Sequence, residues 1–165
     1  MIPYDELPPR SKSFDVLHHG TPIENTASIC KEGLKKGTAD RIGYISKEDP
    51  MGLDRTTDCI GIVNMSKHRK DAIFFACGWR KLARNDPGQA IFEIDANKLD
   101  KNRMFFRKMF NKPWAEVKYI GDIPPEVIKR VFIRKFDWEP ELKVKEEYMT
   151  CDEVLEKGEE FWKEI

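Results

Sequence analysis

The sequence predicts an α+β domain, and three observations carry that expectation. Short apolar runs of strand character recur at residues 15–18, 59–64, 89–95, 115–120 and 131–136. Between and after them lie helical segments with start and stop signals, at 22–32, 67–84 and from 151 onward. A polar stretch at 35–58 has no periodicity and is broken by Gly37, Gly43, Pro50 and Gly52. A connection of that length inside a domain is more often functional than idle, so it is expected to fold over a ligand. At 165 residues the chain reads as one domain, residues 1–165, with a single core.

Each element has a local reason. Residues 1–13 are rich in Pro and polar groups and read as an extended arm laid over the surface. The stretch 15–34 reads as a buried strand that breaks at Gly20 and starts a helix. Thr21 is its N-cap, Pro22 its first position, Glu24 the partner in a capping box, and Gly33 its stop. Ile23, Ala27 and Cys30 lie at helical spacing to face the core. In the second strand-to-helix unit Ser66 is placed to cap a helix carrying Ile73, Ala76, Cys77 and Leu82 on one face, with Phe74, Phe75 and Trp79 beside it. Asn85-Asp86-Pro87-Gly88 ends that helix. Along 89–95, Ala90, Phe92 and Ile94 share one strand face, and Ile91, Glu93 and Asp95 the other. Residues 97–111 fit a helix or an irregular hydrophobic plug equally. After the strand at 115–120 come a turn at 121–125, one or two helical turns at 125–130, and the strand at 131–136. Thr150 and Glu153 form a capping box for a C-terminal helix, within 140–165, that docks through Val154, Leu155, Phe161, Trp162 and Ile165.

Composition narrows the function. Lys plus Arg and Asp plus Glu are each 29, so net charge gives no support to a general nucleic-acid binder held by phosphate attraction, although a local basic face remains open. The N-terminal residues lack the order of a signal peptide and no apolar run reaches membrane-spanning length, so the expected location is cytoplasmic, with no membrane partner. Cys30, Cys59, Cys77 and Cys151 are spread singly, without zinc-site spacing, and read as buried or incidental thiols rather than metal ligands.

The junction at 15–34 holds an imidazole, a glycine and a hydroxyl together, an arrangement many ligands can use. Neighbours on a strand point to opposite faces, so only one of His18 and His19 can face a pocket. His68, Arg69 and Lys70 cluster at a helix start, where the dipole disfavours cations. That misfit points either to an anionic partner such as phosphate or to a solvated face.

Leu17-His18-His19-Gly20-Thr21, followed by Ile29 and Glu32-Gly33-Leu34, resembles the opening motif of the ADP-ribosyltransferase superfamily, which includes poly(ADP-ribose) polymerase catalytic domains and RNA 2′-phosphotransferases. Asp54-Arg55, Asp58-Cys59-Ile60, Phe74-Phe75, and Ala115-Glu116-Val117 ahead of the segment from Gly121 to Ile128 resemble the DarT-type toxins, which are DNA-modifying ADP-ribosyltransferases. The likeness runs in order over residues 15–134. Two departures stand out: Gly20-Thr21 replaces the pair usual in the DarT opening, and the tyrosine of other branches has no counterpart beyond the strand end at Asn64 to Ser66 or Tyr44 in the loop.

The resemblance implies a split, mostly antiparallel sheet with flanking helices, a long loop over the site, and NAD as cofactor. It implies Glu116 as catalytic carboxylate, with a solvated strand glutamate as the bland alternative and Glu126 as understudy. Trp114 beside it supplies an apolar neighbour for a proton acceptor. Arg55 would bind pyrophosphate or stabilise charge as the bond breaks, unless it is a surface arginine. His19 would bind the adenosine-side ribose, and the Gly20 backbone the nicotinamide amide. Thr21, Asn25, Tyr44 and Ser66 complete the cofactor candidates, with Thr21 as a plain cap and Asn25 as a surface residue the alternatives. The implied activity is transfer of ADP-ribose to nucleic acid, DNA ahead of RNA, by a toxin held in check by an antitoxin protein. The alternatives are an RNA 2′-phosphotransferase-like enzyme and a non-catalytic NAD- or ADP-ribose-binding module.

Overall fold

Alternation along the strands decides how this chain folds. The structure, a computed structural model, describes residues 1–38, 60–76, 85–109 and 111–165. Within them the strands are β1 (Ile2–Pro3), β2 (Val16–Pro22), β3 (Ile62–Ser66), β4 (Gly88–Asp95), β5 (Met104–Met109), β6 (Lys112–Ile120), β7 (Ile128–Asp137) and β8 (Lys143–Met149). They form one sheet in the order β1-β5-β6-β3-β2-β4-β7-β8, with every neighbouring pair antiparallel. The α+β class read from the sequence is therefore the observed one.

One face of the sheet carries the main core. Leu17, Val63, Met65, Phe92, Ile94, Phe106, Val117, Val131 and Ile133 are buried together in it, as period-two alternation requires. Helices α1 (Thr26–Glu32), α3 (Cys151–Glu156) and α4 (Glu159–Lys163) supply the other half of this core through Ala27, Cys30, Val154 and Trp162. The opposite face is covered in part by α2 (Arg69–Ala76), whose Ala72 and Ala76 pack with Ile91 and Phe132. Among the described residues no helix is long and apolar enough to cross a membrane.

Several local expectations are corrected. β2 does not break at Gly20 but runs on to Pro22. Thr21 is therefore a strand residue and caps nothing, and its hydroxyl accepts from Asn25 Nδ2 at 2.9 Å. A 3-10 turn, Ile23–Asn25, precedes α1, and neither element has a side-chain cap. Gly33 does stop α1 as expected, at a φ of 82°. The described part of 97–111 resolves into two 3-10 turns and β5, with Phe110 outside the described residues, and 125–130 into a 3-10 turn followed directly by β7. The 143–149 strand was not expected. The arm is more than a surface strap, because β1 pairs with β5 and Leu7 lies in the main core. The Thr150–Glu153 capping box is present, but Gly158, at a φ of 83°, divides the C-terminal helix into α3 and α4. Residues 39–59, with most of the expected loop, lie outside the described residues.

Gly20 has a packing role that the sequence did not reveal. A Cβ there would sit 2.1 Å from the Ala72 carbonyl oxygen and 2.7 Å from Ala76 Cβ. Helix α2 can lie this close to β2 only because residue 20 has no side chain. Gly20→Ala is expected to push α2 off the sheet and destabilise the fold by about 1–3 kcal/mol, the usual cost of overpacking. Denaturant unfolding measures it, and an unchanged midpoint would mean the helix moves freely.

Candidate functional site

At one height the sheet carries a row of polar residues. Arg107, Glu116, Ser66, His18, Glu93 and Arg130 stand on β5, β6, β3, β2, β4 and β7, each registered directly against the next. Residues directly opposite each other share a face, so all six project to the side that α2 only partly covers. The two ends are ion pairs. Arg107 donates to Glu116 from Nε to Oε2 at 2.6 Å and from Nη2 to Oε1 at 3.0 Å, and Arg130 Nε donates to Glu93 Oε2 at 2.7 Å. Forked guanidinium pairing fixes the orientation of a carboxylate. Lys118 Nζ lies 3.8 Å from Glu116 Oε1 and donates to Asn64 Oδ1 at 2.9 Å.

The centre of the row is unpaired in charge. Ser66 is buried, and its hydroxyl accepts from the His68 amide at 3.0 Å and donates to the His68 carbonyl at 2.7 Å. It thus turns the chain from β3 into α2, three residues ahead of Arg69, where the helix begins, rather than as its cap. His18 Nδ1 is buried without a hydrogen-bond partner, alone in this among side-chain polar atoms of the described residues. Burial pushes the His18 pKa below its ordinary 6.5; Arg69 and His68 act in the same direction, while Glu93 and the Ser66 main chain oppose it.

The sheet splits beside this centre. β2 and β3 share only the His18–Ser66 pair, whereas β2 and β4 pair along their whole length. Just past that point His19 Nδ1 donates to the Asn64 carbonyl at 2.7 Å. A carbonyl can only accept, so Nδ1 carries the hydrogen. Trp114, at a φ of 57°, marks an irregular bend in β6 two residues before Glu116, and β5 has a register shift between Arg107 and Met109 opposite it. Such bends re-aim side chains.

Of the residues singled out in the sequence, Glu116 and Ser66 are registered partners. His18, not His19, shares their face, because His18 is the residue registered against Ser66. His19 and Thr21 alternate with Leu17 on the core side, His19 at the border of the split. Asn25 is exposed and bonded to Thr21. Arg55 and Tyr44 lie outside the described residues. Sequence reasoning missed Glu93, Arg107 and Arg130. A carboxylate between Ile91 and Asp95 on a half-apolar strand face was a signal for Glu93, whereas its partner on β7 depends on register that only the folded sheet supplies.

A hollow of about 490 Å³ opens beside the row, with Lys67, Arg69, Lys70, Lys112 and Arg130 around His18, His68, Glu93 and Tyr148. Lys112 Nζ pairs with Asp71 at 3.0 Å. The Arg69 guanidinium lies 4.5 Å from the Phe132 ring centroid and donates to the Tyr148 hydroxyl, and Arg130 lies 3.7 Å from the Tyr148 centroid. Lys67 Nζ donates to the Ser11 carbonyl at 2.6 Å, and burial pushes its pKa down. Elsewhere, the Cys30 and Cys151 thiols are hydrogen-bonded across α1 and α3, which raises the first and lowers the second. Among the described residues no group of three or more His, Cys, Asp or Glu side chains could hold a metal ion.

No family model and no curated protein matches the chain. Among solved structures, one titled EcPltA superposes with a TM-score of 0.52 at 11% identity, over 84% of this chain and 86% of that one. At that identity the likeness is one of fold.

A histidine whose folded-state pKa lies below 6.5 binds its proton more readily in the unfolded chain. Acidification below 6.5 therefore favours unfolding, and this contribution to stability is present above 6.5 and lost as pH falls toward the folded-state value. Thermal midpoints followed from about pH 7 to about pH 5 should fall for the wild type and fall less for His18→Asn. Equal slopes would place His18 in solvent.

Proposed function

We propose that this chain is an NAD-dependent ADP-ribosyltransferase that modifies nucleic acid, in the manner of the DarT-type toxins it resembles over residues 15–134. The observation that carries the reading is Glu116 held in register with Ser66 and His18, at the place where the strand bearing His19-Gly20-Thr21 parts from β3. Beyond His18, β3 offers β2 no registered partner. Main-chain groups at such a parting are suited to an amide like that of nicotinamide. On its other side Gly20 is closed by α2, so a ligand would reach it only from the split. His19, Gly20, Thr21 and Ser66 border that opening, and Arg55 and Tyr44 join the site by resemblance alone.

NAD is here a substrate. The bond between ribose C1′ and nicotinamide breaks, nicotinamide leaves with the bonding pair, and a nucleophile of the acceptor attacks C1′. Glu116, oriented by Arg107, takes the nucleophile's proton. An antitoxin partner belongs to the same reading. A second reading, NAD-dependent removal of a 2′-phosphate from RNA, is favoured by one observation, the basic hollow beside His18.

The test incubates labelled NAD with separate pools of single-stranded DNA, tRNA and protein. Label should reach nucleic acid, and Glu116→Gln should lower the rate by about 10²–10⁴-fold, the usual worth of a general base. Loss of a 2′-phosphate from an RNA end would favour the second reading. NAD binding with no transfer and no nicotinamide release would sink both in favour of a binding module.

A further inference from the structure

We propose that the hollow beside His18 is a binding site for a phosphate group of high charge, held by Arg69, Lys70, Lys112 and Arg130. The argument is one of unbalanced charge in a concave place. The two carboxylates at hand are already engaged, Glu93 by Arg130 and Asp71 by Lys112, so Arg69 and Lys70 add positive charge with no carboxylate left to balance it in the hollow. These two open α2, where the helix dipole itself favours an anion. A phosphate removes both misfits at once. Arg69 is stacked on Phe132 and bonded to Tyr148, so its guanidinium is held in place before any ligand arrives, which lowers the cost of binding.

His18 gives the site a signature. It lines the hollow with a buried Nδ1 that has no partner. The groups around it are Glu93 from β4, Arg130 from β7, Lys112 from β6, and Lys67, His68 and Arg69 from the turn into α2. Without an anion, burial, with Arg69 and His68, holds the ring's pKa below its ordinary value, and an arriving phosphate acts the opposite way. Binding then takes up a proton and tightens as pH falls toward about 6, where the phosphate monoester itself begins to protonate.

The same chemistry has two sources, the terminal phosphate of an acceptor strand or the diphosphate of NAD; the choice of probes rests on the function proposed above. Calorimetry compares a short single-stranded oligonucleotide with and without a 5′-phosphate, as DNA and as RNA, and ADP-ribose alongside. Stronger binding of the phosphorylated strand that Lys70→Ala or Arg69→Ala weakens by about tenfold or more, the worth of a hydrogen bond to a charged group, assigns the site to the acceptor. The same loss for ADP-ribose assigns it to the NAD diphosphate. Proton uptake, read from the buffer dependence of the binding heat, should be smaller in His18→Asn than in wild type, the remainder coming from the phosphate monoester and His68. Equal binding of every probe to wild type and Lys70→Ala, whose side chain is exposed and whose loss spares the fold, overturns the site. Nicotinamide release measured on the same samples keeps the two ideas apart: turnover without phosphate-dependent binding sinks the site alone, and phosphate-dependent binding without turnover sinks the transferase alone.

Discussion

The polar face depends on one registered pair, His18 opposite Ser66. It joins the strands β1-β5-β6-β3 to β2-β4-β7-β8 and so lines up Glu116 on one side with Glu93 on the other. A slip of one residue would turn Leu17 out of the core and His18 into it. Since Leu17, Val63, Met65 and Val117 are all buried in one cluster, that slip is expensive. The apolar face therefore holds the polar row in register.

A row of this kind must be satisfied member by member, because a half-paired buried polar network costs more than an apolar one. The ends meet that demand with Arg107–Glu116 and Arg130–Glu93. Ser66 meets it through the main chain of His68. His18 alone leaves a nitrogen unpaired, and it does so between two fixed ion pairs and beside a basic hollow. The unsatisfied group thus sits beside a basic hollow, and burial is the largest of the causes that lower its pKa.

Much of this was legible in the sequence where local rules suffice. Runs with alternating apolar residues became β4, β6 and β7, Gly33 stopped its helix, and Thr150 with Glu153 formed the expected cap. The misfit of His68, Arg69 and Lys70 at a helix start foreshadowed the hollow they line. Local rules failed where long-range contacts decide. The signals at Thr21-Pro22 and Glu24 describe a helix start, yet pairing with β4 kept Thr21 and Pro22 extended; separately, register with Ser66 puts His18 on the face of Glu116 and leaves His19 at the border of the split. Gly20 looked like room for a ligand, and α2 uses that room on one side. Arg107 and Arg130 carried no signal of their own, because each matters only through the carboxylate registered against it.

The edges of the sheet bear on how this chain can associate with itself. β1 is two residues long and one of them is Pro3, which has no amide hydrogen to offer, while β8 is lined with Lys143, Lys145, Glu146 and Glu147. Neither edge is a good template for another strand. The weak point is underneath: β5 is a longer strand whose outer side is shielded by that short arm, which Leu7 anchors in the core. Proteolytic trimming of the first residues would uncover it, so the N-terminal arm, though remote from the polar row, guards the sheet against growing from chain to chain.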